Sequence, residues 1–360
     1  MTGLSLKPLK FLFVPVSSTK GIGEYMRCLI VADAITRRWP NANVRFILSR
    51  HAPYASDCPY PAALIDNTPT KSIPAVNEQL SEYRPDMVIF DASGRSAQLR
   101  HAKRCGAKVV FISQHRRKRR RGLKWRRLQV TDCHWVVQPA FLMGKLSWFE
   151  RCKLALQKKA APACIGPVFC PPDLQRQQAL LAQYDLPAQG FWFFNAGSGG
   201  HRLQGKLAAD TFAAAAAALY QRTGIACVMV FGSNYPHALP QHEGVIGIAS
   251  IDNMAFISLL AAAKGAVLAG GDTLLQALAL HIPAVAVAVA PDQHARVKRC
   301  VSQTLCLQAD AKADALACSA MQLQVPALQQ RLKQQMASQG LHNGLDVMMA
   351  QIETMLPEHS

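Results

Sequence analysis

Glu24 follows Gly21-Ile22-Gly23 where a glycine turn passes into an apolar-periodic stretch, so its carboxylate sits at a helix start beside a turn. A carboxylate so placed can take a proton from an acceptor hydroxyl. It can equally do no more than complement the helix dipole, worth ~0.3–1 kcal/mol. Asp91 ends the buried run Met87 to Phe90 and carries the same pair of readings, a competing base or a capping aspartate. In the second half, Gly197-Ser198-Gly199-Gly200 and Gly270-Gly271-Asp272-Thr273 each follow a short apolar run and precede a helical pattern. Such turns offer unpaired backbone N–H groups and the positive end of a helix dipole, which is what a diphosphate needs. Arg202 and Lys206 are placed to neutralise it, and Thr273 can cap the helix that runs from Leu274 to Leu280. A glycine-rich connector with no ligand explains either turn alone, so the signal lies in their pairing. Asp292 and Gln293, in the loop after the last strand, can bond sugar hydroxyls or serve as ordinary turn residues, and Gln276 can face a ribose diol or solvent.

Charge is the second feature. The formal net charge is +18, and Arg116, Arg117, Lys118, Arg119, Arg120, Arg121, Lys124, Arg126 and Arg127 lie in one short block with no acid among them. Such a block repels itself without an anionic partner, and an anionic membrane, a phosphorylated acceptor and nucleic acid all qualify. Trp125 among these cations suits a lipid headgroup surface. Nucleic acid ranks lower because no recognition motif accompanies the charges. A solvated loop is the plain alternative.

Other chemistries are disfavoured. His115, His134, His201 and His281 show no i, i+4 metal spacing, with His134 suited to a core and His281 to a helix end. No G-x-S-x-G elbow surrounds Ser17, Ser18 or Ser198, and the first glycine loop is not G-x-G-x-x-G because Arg27 takes its third glycine position. The 11 cysteines contain no C-x-x-C pair and suit reduced thiols in the cytoplasm. The longest apolar stretches are too short to cross a bilayer, and the N-terminal one suits a first strand better than a targeting segment.

The positioning elements follow from length and periodicity. At 360 residues, half of them apolar, the chain suits two domains with real cores. Strands at Phe11–Val16, Val44–Leu48, Met87–Phe90, Val109–Ser113 and His134–Val137 alternate with helical stretches, the first from Glu24 to about Trp39. Residues 51–75 read as connection. A Pro- and Gly-rich stretch at 165–172 reads as linker and hinge. Strands at Phe191–Asn195, Cys227–Phe231 and Ala266–Ala269 follow, with a helix from about Lys206 to Arg222 and closing helical patterns at Ala327–Met336 and Gly344–Met355. The expected fold is α/β: two Rossmann-like, doubly wound parallel-sheet domains facing across a cleft, over 1–164 and 173–340, with a C-terminal helix in 341–360. Ligands in such sheets bind outside the strands' carboxyl ends, which brings Gly21 to Glu24, Asp91 and Gln114-His115 with the arginines to one rim.

The stretch Ile251 to Arg299 resembles the donor half of GT-B glycosyltransferases, above all the lipid-II-forming N-acetylglucosaminyltransferase family: I-D-N-M, a helix, an apolar strand, a glycine turn, a T-x-x-E-A-L-A-like helix and a G-x-P strand. Gln276 stands at that family's ribose-binding glutamate and His281 at a usual glycine. Ala196 to Gly200 is similar to its G-G-S-x-G loop, and Gly166-Pro167-Val168 to its linker. Gly21 to Cys28 resembles G-x-G-H-x-x-R-C of nucleotide-sugar hydrolases of pseudaminic acid synthesis, with Glu24 at the histidine. Glu24, Lys206 and Asp272-Thr273 are similar to the base, lysine and D-T/S-G turn of lipopolysaccharide heptosyltransferases.

The resemblance implies an inverting, metal-independent hexosyl- or heptosyltransferase without a cofactor. Its nucleotide-diphospho-sugar donor would be held by Asn253, Met254, Gly270 to Thr273 and the residues named above. Its acceptor would be an anionic, lipid-linked or lipopolysaccharide-type glycan near Gly21, Gly23, Gln114, His115, Arg116, Arg117 and Trp125, at the inner face of the cytoplasmic membrane. A hydrolase using water as acceptor and a non-catalytic nucleotide-sugar- or nucleic-acid-binding protein are the alternatives.

Overall fold

The computed structural model describes residues 7–17, 22–203 and 205–356. The chain divides into two compact units, one formed by residues 1–168 with 344–360, the other by 169–343.

The sheet of the first unit holds β1 (Lys10–Pro15), β2 (Asn43–Ser49), β3 (Ala62–Ile65), β4 (Met87–Asp91), β5 (Lys108–Ser113), β6 (Cys133–Val136) and β7 (Ala163–Cys164). Their spatial order is β3-β2-β1-β4-β5-β6-β7 and every pairing is parallel. Parallel strands between helical layers are buried on both faces and read as continuous apolar runs. Phe11, Leu12, Phe13 and Val14 are accordingly all buried, as are Met87 to Phe90. The strand order reverses between β1 and β4, the crevice where open α/β sheets bind ligands at their carboxyl ends.

The second unit holds β8 (Trp192–Asn195), a short hairpin of β9 (Arg202–Leu203) and β10 (Lys206–Leu207), and then β11 (Cys227–Val230), β12 (Val245–Ile248), β13 (Gly265–Ala269), β14 (Ala284–Val287) and β15 (Leu307–Gln308). Its main sheet runs β12-β11-β8-β13-β14-β15, again all parallel, and reverses between β8 and β13. The two-domain, parallel-sheet α/β expectation is therefore met.

Four local readings change. Residues 51–75 contain β3, a half-exposed edge strand whose flanking prolines conceal it, and the start of the helix Ile73–Tyr83. β12 was likewise not foreseen. The basic block is helical, over Arg116–Gly122 and Trp125–Leu128, rather than a solvated loop. The helix after the second glycine turn begins at Asp272 with Gly271 as its cap residue, and no side chain, Thr273 included, caps it.

The C-terminal helix Gly344–Met355 belongs to the first unit. Trp135 Nε1 donates to Gln351 Oε1 at 2.6 Å and Arg38 pairs with Glu353 at 2.6 Å. Gly344 lies so near the backbone at Ile165 that a Cβ there would stand 2.6 Å from its carbonyl oxygen. Among the described residues no helix is long and apolar enough to cross a membrane.

Candidate functional site

The switch point of the first sheet opens into a cavity of about 500 Å³ lined by Val16 and Ser17 after β1, Ala92 and Ser93 after β4, and Glu24, Thr70, Arg95, Lys118, Arg121 and Arg127. Glu24 lies in the first turn of the helix Gly23–Arg38 with its side chain 15% exposed. One carboxylate oxygen accepts the Ser17 hydroxyl at 3.3 Å and the other pairs with Lys118 Nζ at 3.3 Å. Ser17 Oγ in turn accepts the Tyr25 N–H at 3.0 Å, tying the strand end to the helix start.

Asp91 is at the same strand end but is fully buried. Arg27 grips both its oxygens, Nε to Oδ2 at 2.7 Å and Nη2 to Oδ1 at 3.0 Å. Burial pushes the Asp91 carboxyl above its ordinary range, while Arg27 pulls the other way. Of the two candidate bases, Glu24 borders the cavity and Asp91 is held in a buried ion pair; both oxygens being taken corrects the reading of Asp91 as an available base. The turn after Asp91 is tightly held: Ser93 Oγ donates to the Val14 carbonyl, and Ala92 adopts φ 55, a left-handed conformation costly for a residue with a Cβ.

The basic block supplies the cavity's far wall because it folds as helix. His115 caps it, its Nδ1 accepting the Lys118 N–H at 3.4 Å, which requires a neutral ring. Burial, then Lys118, Arg121 and Arg117, push the His115 pKa down, consistent with that role. Gly122 lies against the His134 ring, where a Cβ would stand 2.4 Å from Cε1. His134 itself contacts Ser113 Oγ at 2.9 Å, and burial followed by Arg119 and Arg127 lowers its pKa to about 3.

The block's charges are dispersed. Arg119 is buried and donates to the carbonyls of Gly144 at 2.9 Å and Lys145 at 3.4 Å, Arg120 faces Glu150 at 3.8 Å, and Arg127 stacks over Phe111 at 5.4 Å. Lys118 and Arg121, three apart on one helix, point into the cavity together with Arg127. Arg116 and Arg117 are exposed and do not line it, while Gln114 accepts from Lys118 Nζ at 3.4 Å. Trp125 is partly exposed at the start of its own short helix, and Gly23 opens the Glu24 helix; Gly21 lies outside the described residues.

Sequence reasoning did not single out Ser17, Thr70, Ser93 or Arg95 as site residues, nor Lys118, Arg121 and Arg127 within the block. The available signal is the helical spacing of Lys118 and Arg121, three residues apart, which an unbroken run of cations conceals.

In the second unit the two glycine turns follow the neighbouring strands β8 and β13, on either side of that sheet's switch point. The first turn is fixed by its own backbone. Gly197 N–H donates to Asn195 Oδ1 at 3.1 Å, and the Ser198 carbonyl accepts the Asn234 N–H at 2.8 Å. Gly199 and Gly232 both have φ 93 and pack so closely that a Cβ on Gly199 would meet the Phe231 oxygen at 2.6 Å, and one on Gly232 the Ser198 carbonyl carbon at 2.5 Å. Two amides expected to face a ligand are therefore spent within the fold, because the Gly270 N–H also donates to Val287 O at 2.7 Å. Among the described residues no hydrogen bond occupies the amides of Ser198, Gly199, Gly200 or Gly271.

Gln293 is a further correction. It is buried, and its Oε1 accepts the Val289 N–H at 3.0 Å, so it braces the loop after β14 instead of offering that oxygen to a sugar. Arg296, not foreseen, reaches both the Gly270 carbonyl at 2.9 Å and Asp272 at 3.5 Å. Gln276 and Thr273 are half-buried in the first turns of their helix and Asp292 is exposed. Asn253 and Met254 begin the helix Asn253–Ala262, which Asp252 caps through the Ala255 N–H at 2.8 Å. Asn253 Oδ1 is buried with no hydrogen-bond partner. Arg202 donates to Gly205 O at 2.9 Å. Lys206 lines a separate groove of about 750 Å³ with Asp210, Asp310 and Lys312, which neither glycine turn borders.

No protein-family model and no curated protein sequence matches the chain. Solved structures do. The chain is similar to the glycosyltransferase of kitacinnamycin (17% identity, TM-score 0.65, 98% of this chain and 100% of that one). It is also similar to CalG4, the calicheamicin glycosyltransferase (15%, TM-score 0.65, 98% and 99%). SnogD from Streptomyces nogalater, another glycosyltransferase, aligns at 13% identity with TM-score 0.63 over 97% and 100%. These likenesses span both units and establish the GT-B fold.

Proposed function

We propose that this chain is an inverting glycosyltransferase that binds a nucleotide-diphospho-sugar on its second unit and an acceptor hydroxyl on its first. The observation that carries the reading is the pairing of chemistries at the two switch points: a carboxylate among cations at the first, glycine turns with unpaired amides and a helix start at the second. Glu24 takes the acceptor proton as the acceptor oxygen bonds to the anomeric carbon and the bond from that carbon to the donor diphosphate breaks. The departing diphosphate takes the electron pair, and backbone amides, the dipole of the Asp272–Ala279 helix and Arg296 neutralise it without a metal. Lys118 and Ser17, one on each carboxylate oxygen, hold Glu24 in position at the cavity wall. The acceptor we favour is an anionic envelope precursor, lipid-linked or of the lipopolysaccharide type.

The membrane side of this reading rests on the helix Trp148–Leu156. Trp148 and Phe149 are 64% and 71% exposed, and the helix is tied to the basic one through Glu150 and Arg120. Exposed aromatics beside a cationic face suit the headgroup layer of an anionic bilayer. Flotation with phosphatidylglycerol vesicles is expected to drop when Trp148 and Phe149 become alanine; undiminished flotation would remove this part of the proposal.

The test of the chemistry is nucleotide release from candidate donors, with and without acceptor, by wild type and Glu24→Gln. The expected result is acceptor-stimulated release that falls ~10²–10⁴-fold in the variant while donor affinity is retained. Release that ignores acceptor would make the chain a hydrolase, and a wild type that binds donor without turnover would make it a binding protein.

A further inference from the structure

We infer that the cavity of the first unit is a phosphoryl-binding site, so that the acceptor carries a phosphate or diphosphate group beside the hydroxyl it offers to Glu24. The inference rests on the glycosyltransferase reading for the identity of the ligand as acceptor, but the anion site stands on its own observations.

Arg127 is 6% exposed, and its Nη1 is buried with no hydrogen-bond partner. Its one described neighbour contact is the face of Phe111, which attracts the charge but accepts no N–H in the plane of the guanidinium. A buried guanidinium with an unused donor is costly, and the cost persists unless an acceptor enters the cavity. Burial, with Arg121 and Arg95 adding repulsion, lowers its pKa to about 10.

Those two arginines and Lys118 line the same cavity, and among the described residues the only acid on its wall is Glu24, already paired with Lys118. Asp91, at the end of β4, is paired with Arg27. Four cations against one carboxylate leave three positive charges in excess. That excess matches a phosphomonoester dianion or a diphosphate, whose several acceptor oxygens suit planar guanidinium donors, better than a lone carboxylate. Around the rim, the Ser93 and Thr70 positions are polar, and Arg95 is held in place by donating its Nε to Thr70 O at 3.0 Å, which leaves its outer nitrogens for a ligand. A cavity of about 500 Å³ has room for one such group with the sugar that bears it.

The test is calorimetric titration of the full chain with inorganic phosphate and with inorganic pyrophosphate at fixed ionic strength, for wild type, Arg121→Ala, Arg127→Met and the exposed control Arg100→Ala. Both site variants are expected to weaken the preferred anion at least ~10-fold, with the control unchanged. Tighter pyrophosphate points to a diphosphate acceptor and tighter phosphate to a monoester; either supports the site. If circular dichroism shows Arg127→Met unfolded, the double variant Arg95→Ala/Arg121→Ala decides, with the same loss expected. A wild type that binds neither anion, or site variants that bind as the control does, would overturn the inference. Nucleoside diphosphates titrated into the same variants keep wild-type affinity, since their proposed site is on the other unit. If no nucleoside diphosphate binds while the anion loss is seen, the glycosyltransferase reading fails and the phosphoryl site stands.

Discussion

At the switch point of the first sheet, β1 and β4 end in Ser17, Ala92 and Ser93 beneath long charged side chains. At that of the second, β8 and β13 lead into glycine turns, the first packed against the backbone of Phe231 and Tyr235 and the second against the side chains of Val297 and Gln293. Both sheets use the same crevice, yet one fills it with side-chain charge and the other with backbone geometry. The contrast has a mechanical meaning. Lys118 and Arg121 sit on a helix and not on β1 or β4, so the charge of the first rim is carried by side chains outside the strands. The second rim cannot gain even a methyl group at Gly199 or Gly232 without moving the loop. The shape of that turn is set by where the chain runs.

The largest effect is expected where the first unit departs from this rule, at its buried ion pair. Asp91→Ala breaks this buried pair by removing one partner and should destabilise the first unit by ~3–5 kcal/mol. Hydrogen exchange followed peptide by peptide in urea separates the two units; a loss below ~1 kcal/mol would mean that the pair does not hold the rim.

Gly232→Ala probes the second rim. It forces a Cβ onto φ 93 and against the Ser198 carbonyl, so a cost above ~1–2 kcal/mol is expected, confined to peptides of the second unit. An alanine accepted without loss would show that the glycine turn is loose, and the contrast between the rims would collapse.

The third test is pH. His134 ordinarily titrates near 6.5 when unfolded and near 3 in the folded first unit. The unfolded chain therefore binds the extra proton between those values, so this contribution to stability is intact above pH 6.5 and declines as pH falls toward 3. The slope is up to ~1.4 kcal/mol per pH unit. His134→Gln should flatten the acid limb of denaturation curves for the first unit; an unchanged limb would mean His134 is protonated in the folded state.

The smallest effect belongs to Ala92. Glycine there removes left-handed strain of ~1–2 kcal/mol and adds unfolded-state entropy worth ~0.5–1 kcal/mol, for a net gain of ~0.5 kcal/mol by chemical denaturation. A loss would show that its methyl group packs usefully against the cavity wall.

The sequence by itself determined the strands whose apolar runs are unbroken, β1, β4, β5 and β13 among them, because a strand buried on both faces has no other way to be written. It determined Glu24 and the two glycine turns as candidates, since glycine turns meeting helix starts follow from local spacing. Only the tertiary structure showed that Asp91 sits in a buried ion pair while Glu24 borders the cavity, because the partner of Asp91 is Arg27, 64 residues away in the chain. It also sorted nine cations into Arg119 and Arg127 inside, Lys118 and Arg121 on the cavity and Arg116, Arg117, Arg120, Lys124 and Arg126 exposed. A run of like charges carries no local signal of burial; the ring of Phe111, the His134 side chain against Gly122 and the carbonyl of Gly144 supply it, and they reach the block only once β5 and β6 are paired.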